Sequence, residues 1–347
     1  IGAAANNGVA GAGVAWRVQM MHLRFLGRGE EGRGLSSDAI ECINYAIEHG
    51  ADVINASYGS DSGSSIVTAA IRRARDADII FVAAAGNDGE DLDISSAFPA
   101  NYLIDNIVSV ANSTRLGDLS TTSNYGSGIV DLAAPGSNIL SLSASGNNAT
   151  LLASGTSMAA PMVTGAVALL RAQYPADNYR DIINRLLRGT RKVTAFSGQV
   201  QTGGQLDVAA ALQMSDTRPF NDDFDGRAVL DGEIVRVRNS TWNATPQAGE
   251  PAHAGRLSRS IWFTWISPTG GEVQIDSRDS IGDTTLSVYT GVSVNNLSLV
   301  AENDNESSGF LTSKVIFEAT AGTPYHIALD SSSPGLAVLN LAASAAN

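Results

Sequence analysis

Apolar and polar positions follow two different rhythms along the chain, and the change between them divides it. From Trp16 to about Leu212, short apolar runs read as buried strands: VQMMHLRF (18–25), DVINAS (52–57), DIIFVAAAG (78–86), NIVSVAN (106–112) and IVDLAAPG (129–136). Between them lie segments of helical period. One covers 38–49, with Asp38 and Glu41 at the spacing of a capping box; another covers 64–77, where Ile66, Val67, Ala70, Ile71 and Ala74 share a face. A third opens near Ser157 and stays small or apolar through Leu170, until Arg171, Tyr174 and Pro175 end it. Strands alternating with helices predict an α/β fold with a doubly wound, mostly parallel sheet. Ligands of such sheets sit at the carboxyl ends of the strands, so ASYGS (56–60), AAAGND (83–88) and Ser157 are expected to converge.

After SDTRPFNDDFDG (215–226) the rhythm shortens. SIWFTWI, EVQID, TTLSVYTG, LSLVAE, SKVIFEAT, PYHIALD and LAVLNLA are alternating or β-branched runs separated by Gly, Pro, Asn and Asp, the signature of an all-β sandwich. The expected organisation is an α/β part over 1–214, a linker at 215–220 and a β-sandwich over 221–347.

Composition narrows the function classes. A chain of 347 residues exceeds what one core usually holds, and 44% apolar with 16% charged residues is globular rather than disordered. The net charge is −13, and apart from Lys192 and Lys314 every basic side chain is arginine. No basic cluster with interleaved aromatics occurs, so nucleic acid is not an expected partner. Cys42 is the only cysteine and reads as a buried, inert thiol, which leaves no disulfide framework and no cysteine metal cluster. No run of 18 apolar residues predicts a membrane span. Gly-rich GVAGAGVAW (8–16) lacks a dinucleotide fingerprint and reads as a turn. The opening IGAAANNG, beginning on Ile1, reads as the end of a helix entering a turn, and the chain as a fragment lacking its N-terminal part.

The stretch SGTSMAAPM (154–162) places Ser157 between a glycine turn and a helix. Serine there is usually a cap; the alternative is a nucleophile. Ala159 breaks the G-x-S-x-G spacing of the α/β-hydrolase elbow, and no acid and histidine follow within this part. GTSMAAPMVTGAVALL, preceded in order by DVINASYGS and VAAAGNDG, resembles the signature of the subtilisin-like serine proteases, the subtilases, over roughly 1–212.

That resemblance implies a serine endopeptidase that cleaves polypeptides through an acyl-enzyme on Ser157, with the Asn87 side-chain amide donating to the oxyanion. It implies that Ser57, Tyr58 and Gly59 pair with the substrate backbone, that Gly32, Arg33 and Gly34 form the opposite strand, and that Ala84, Ala85 and Gly86 line a deep pocket for a large apolar side chain. Phe98–Pro99 resembles a family position with a cis peptide, with a plain turn as the alternative. No cofactor is implied for the chemistry; structural calcium, a monomer and secretion are. Elementary electrostatics agrees, because a helix N-terminus favours the negative charge that develops during acyl transfer.

One departure matters. In subtilases the order is Asp, His, Ser, yet only His22 and His49 precede Ser157, and neither stands in an H-G-T-H stretch. Without its base the serine is a poor nucleophile, so the chain alone is expected to be nearly inactive. The rival reading is a non-catalytic subtilase-like protein that binds peptides or mediates adhesion. NDDFDGRAVLDG, GEPAHAGRLSRSIWFTW and DTTLSVYTG resemble the pre-peptidase C-terminal domains. Asp222, Asp223, Asp225 and Asp304 are candidate oxygen ligands for calcium, against a reading of Asp222–Asp225 as a solvated acidic linker.

Overall fold

A computed structural model describes residues 1–8, 11–27, 32–146 and 149–344. Its first layer is a six-stranded sheet in the order β1-β2-β3-β4-β8-β7, built from β1 (Val53–Ala56), β2 (Ile80–Ala84), β3 (Ile107–Ser113), β4 (Leu132–Pro135), β7 (Arg191–Lys192) and β8 (Gly204–Gln205). All pairings are parallel except β7 with β8. β2 and β3 are buried along their whole length, which is why they read as unbroken apolar runs. A small antiparallel hairpin, β5 (Ile139–Leu142) with β6 (Thr150–Ala153), stands apart.

Helices α1 (Ser36–Glu48) and α2 (Ser65–Asp76) pack together, and α2 buries Val67, Ala70, Ile71 and Ala74 in a core with Phe81 and Ile107. α3 (Thr156–Gln173) packs against β1 to β4, and α4 (Tyr179–Arg188) and α5 (Val208–Gln213) adjoin it. α3 presents Ala159, Ala160, Val163, Ala166 and Val167 to the sheet; small side chains let its axis come close. α4 begins with a full capping box between Asn178 and Asp181.

Several expectations are corrected. Residues 18–25 form no strand: Met20 and Met21 are exposed, and among the described residues nothing pairs with that run. An apolar run shows a capacity for burial, not the presence of a partner strand. Asp38 and Glu41 make no capping box, since the N-cap of α1 is Leu35 and no side chain caps it. Ile66 points to solvent, 66% exposed. Cys42 is half-buried rather than buried. Residues 1–8 hold no helix, and Gly13 and Ala15 donate to Ala3 and Ile1, so 11–16 are more than a turn; Val9 and Ala10 lie outside the described residues.

The second half is a β-sandwich. One sheet runs β10-β17-β12-β15 and the other β14-β13-β16-β11-β9, from β9 (Ala228–Leu230), β10 (Ile234–Ser240), β11 (Ile261–Ile266), β12 (Gly271–Asp276), β13 (Thr284–Gly291), β14 (Leu297–Asn303), β15 (Lys314–Ala319), β16 (Pro324–Ser331) and β17 (Leu336–Ala343). Every pairing is antiparallel except β9 with β11. Period-two burial is clear in β15, where Val315, Phe317 and Ala319 face in and Ile316 and Glu318 face out. On β11, Ile261, Phe263 and Trp265 join the inner core while Trp262 packs with Phe224, Tyr289 and Ala328 in a separate cluster.

The two halves share one apolar core that runs from Val163, Leu170 and Leu186 through Phe220 to Val237 and Phe263. Residues 215–220 carry that buried Phe220, and the Arg188 Nη1 donates to the Pro219 carbonyl at 2.5 Å. Among the described residues no helix is long and apolar enough to cross a membrane.

Candidate active site

Ser157 is the second residue of α3 and does not cap it. Gly155 is the N-cap, at φ 147° and ψ 168°, backbone that only glycine adopts without strain. A Cβ there would also stand 3.1 Å from the Asn87 Oδ1. The cap is supplied from outside the helix: Asn87 Oδ1 accepts the Thr156 N–H at 2.9 Å. Because that N–H can only donate, the amide oxygen must face it. The Asn87 Nδ2 is thereby turned away, on an exposed side chain, with no hydrogen-bond partner among the described residues.

The backbone of the first turn of α3 shows the same selectivity. Thr156, Met158 and Ala159 N–H groups all have acceptors, whereas the Ser157 N–H has none among the described residues. Two donors without partners among the described residues therefore lie at the loop–helix junction that carries the half-buried Ser157 hydroxyl. The loop is held there by Thr156 Oγ1, which takes the Gly86 N–H at 3.2 Å and reaches Gly86 O and Asn87 Oδ1 at 3.3 Å each.

Pro161 explains the other side of the site. It is the sixth residue of α3 and has no N–H for the carbonyl four residues back, which is that of Ser157. The vacated acceptor is filled by Ser57 Oγ at 2.9 Å, and Ser157 Oγ in turn makes a long 3.4 Å contact to Ser57 O. Ser57 Oγ accepts from Asn55 Nδ2 at 2.9 Å, and Asn55 Oδ1 accepts from Thr164 Oγ1 at 2.9 Å. This polar chain pins the end of β1 to α3, so the three segments expected to converge do so.

Tyr58 packs edge-on against Phe25, with ring centroids 4.8 Å apart, and burial pushes its hydroxyl up to about 12, so it stays a neutral phenol. Gly59 is exposed, and the next residue, Ser60, exchanges two backbone hydrogen bonds with Phe98, immediately before the cis peptide to Pro99. Gly32, Arg33 and Gly34 are exposed backbone outside any strand; Arg33 O accepts the Gly27 N–H, and Gly34 lies against Phe25.

Ala84 ends β2 and Ala85 follows it, both buried, and Gly86 turns at φ 108°, where a Cβ would fall 2.3 Å from the Asn124 amide nitrogen. Asn124 is the post for this loop: its Oδ1 accepts the Asp88 and Glu90 N–H groups and its Nδ2 donates to Ala85 O. Farther along, buried Asp93 accepts from Ser127 Oγ and from the Gly128 and Ile129 N–H groups at 2.9 to 3.1 Å. Burial, aided by Asp91, pushes the Asp93 carboxyl up from 3.8 to about 7. A carboxyl whose folded value is raised binds its proton more tightly when folded, so its stabilising contribution is complete below about 4 and is lost as pH rises to about 7. The urea midpoint is expected to fall across that window and to fall less in Asp93→Asn; an identical slope in the variant would assign the loss to other groups.

Residues 1–212 match the family model described as the subtilase family, peptidase S8. The chain belongs to the subtilase family. A thermostable alkaline protease of Halalkalibacterium halodurans is 36% identical over 184 residues, 53% of this chain and 48% of that protein. Subtilisin BL of Lederbergia lenta is 34% identical over 184 residues, 53% and 65% of the two chains. Among solved structures, a protease from Pseudoalteromonas arctica is 34% identical with a TM-score of 0.55, covering 61% of this subtilase chain and 67% of its own. The chain spans about half the length of the curated relatives it matches.

Within this subtilase no described histidine hydrogen-bonds Ser157. His22 is exposed, and His49 donates its Nδ1 proton to Tyr45 O while stacking on the Tyr45 ring. In the sandwich, buried His253 bonds Glu250 and Tyr289, and His326 bonds Gly291 O. The four aspartates considered for calcium are not gathered: Asp222 and Asp223 face Arg218, Asp304 lies 3.4 Å from Arg256, and Asp225 is exposed beside Arg227. Among the described residues no group of three or more His, Cys, Asp or Glu is arranged for a metal ion. Sequence reading missed Asn55, Thr156, Thr164 and Asn124. Asn55, Thr156 and Thr164 lie inside the motifs DVINASYGS and GTSMAAPMVTGAVALL, and only Asn124 carried no signal.

Proposed function

We propose that Ser157 is the nucleophile of a serine endopeptidase, with its own N–H and the Asn87 Nδ2 as the oxyanion donors. The observation that carries this is the pair of donors without partners among the described residues, the Asn87 Nδ2 and the Ser157 N–H, on two segments locked together by Thr156. Ser157 Oγ attacks the carbonyl carbon of an extended polypeptide, its proton passes to a general base, and the carbonyl oxygen becomes an anion between the two donors. Collapse of that adduct expels the amine and leaves an acyl-enzyme, which water resolves. Ser57, Tyr58 and Gly59 offer backbone for strand addition, with Gly32, Arg33 and Gly34 on the opposite side, and Ala84, Ala85 and Gly86 leave room for a large apolar side chain.

No described histidine hydrogen-bonds Ser157, so we assign the base to the family's His, oriented by its Asp, both of which precede the serine motif in that family. The intact enzyme is a secreted monomer in this reading, the sandwich is a pre-peptidase C-terminal-like domain, and calcium, if bound, is structural. A fluorophosphonate is expected to label Ser157 rapidly in a form extended upstream to include that Asp and His, and hardly at all in this chain. Equal labelling of both would overturn the missing-base argument, and no labelling of either would favour the non-catalytic peptide-binding reading.

A further inference from the structure

The two halves meet through a buried guanidinium. Arg238, on β10 of the sandwich, has a side chain 2% exposed and reaches into the α/β half. Its Nη1 donates to Ala100 O at 2.6 Å and Tyr102 O at 3.0 Å; its Nη2 donates to Ile129 O at 3.2 Å and Asp131 Oδ2 at 2.8 Å. Asp131 Oδ2 also accepts the Ser109 N–H at 2.6 Å, so with two donors on one oxygen it holds no proton there. Backbone bonds fix the root of the side chain: Arg238 N–H donates to Gly128 O, and the Gln201 amide donates to Arg238 O.

What the guanidinium grips is the turn behind the substrate edge. Ala100 and Tyr102 follow Phe98–Pro99. Phe98 exchanges hydrogen bonds of 2.9 and 2.8 Å with Ser60, and the Tyr102 hydroxyl accepts the Ser64 N–H at 2.8 Å. One turn is thus held on one side by two bonds from the sandwich, while on the other side it makes three bonds to the segment that continues from Ser57, Tyr58 and Gly59.

We propose that Arg238 is a positioning residue for substrate binding, and that through it the β-sandwich braces the Ser57–Gly59 edge. A planar fork with five donors can satisfy four acceptors on two segments at once; a lysine ammonium cannot span them. The role assigned to the edge rests on the protease reading, whereas the brace itself does not.

The test uses this whole chain with Arg238→Met, Arg238→Lys and the double variant Arg238→Met/Asp131→Asn. The double variant removes both charges and so avoids an orphaned buried carboxylate. Amide hydrogen exchange is followed at Ser60 and Phe98, with Leu286 and Leu329 in the sandwich as references. Affinity is measured for a tetrapeptide aldehyde with a large apolar C-terminal residue. In the double variant, exchange at Ser60 and Phe98 is expected to rise roughly tenfold and peptide affinity to fall about as much, the scale of losing one well-made hydrogen-bonded contact. The reference amides should hold within about twofold, and Arg238→Lys should recover part of both effects. Uniform acceleration at all four amides, or unchanged exchange at Ser60 and Phe98, would overturn the brace. Opening of those two amides with unchanged peptide affinity would overturn the positioning role. If the unaltered chain binds no peptide, the protease reading of the edge fails, and the exchange pattern alone decides the brace.

Discussion

Replacing Ser157 with alanine is expected to abolish phosphonate labelling and to lower peptide hydrolysis by about 10⁶-fold in a form that carries the general base. That figure is known from subtilisin and is carried over rather than deduced from this geometry. Ser157 Oγ makes one long contact, to Ser57 O, and supplies no helix cap, so deleting it removes the reacting atom while leaving the capping of α3 intact. Hydrolysis rates and urea denaturation measured on the same preparation separate the two effects. A Ser157→Ala protein that still cleaves, or one that loses several kcal/mol of stability, would show that the hydroxyl has a structural task instead.

The second large effect is expected at Asn87, and it has two parts because the two ends of the amide do different things. The oxygen caps α3 through the Thr156 N–H; the nitrogen is free for the oxyanion. Asn87→Ala should lose both functions, lowering kcat by about 10²- to 10³-fold, again the subtilisin value for such a donor, and stability by about 1 kcal/mol, the usual cost of an N-cap. Asn87→Asp keeps an oxygen for Thr156 but puts a negative charge where the oxyanion forms. It should lose at least as much kcat with little loss of stability. KM should change little in either variant, since the oxyanion exists only in the transition state. A rise in KM at constant kcat would place Asn87 in ground-state binding and remove the oxyanion assignment.

These predictions were accessible from the sequence to different degrees, for physical reasons. β1 to β4 and α1 to α3 were legible because burial imposes its period directly on the chain. Residues 18–25 were misread because the same apolar signal arises whether or not a neighbouring strand is there to pair with it. The hairpin of β5 and β6 gave no signal: Leu140, Leu142, Leu151 and Leu152 are all exposed, so apolar side chains there do not mark an inside. Ser157 and Asn87 were legible through motifs. Asn124 and Arg238 were not, because each acts on backbone far away in sequence; Asn55 was not, because its second partner, the Thr164 hydroxyl, is brought to it only by the packing of α3 on β1.

The continuous apolar core bears on how the molecule withstands proteolysis. Nicking concentrates at exposed, loosely held segments. Here the crossing from one half to the other passes through a buried phenylalanine and a cluster of arginine–aspartate pairs, so no slack connection is offered there. To nick the crossing, a protease would first have to pry the two halves apart, and the resistance to that comes from the same contacts that hold them together.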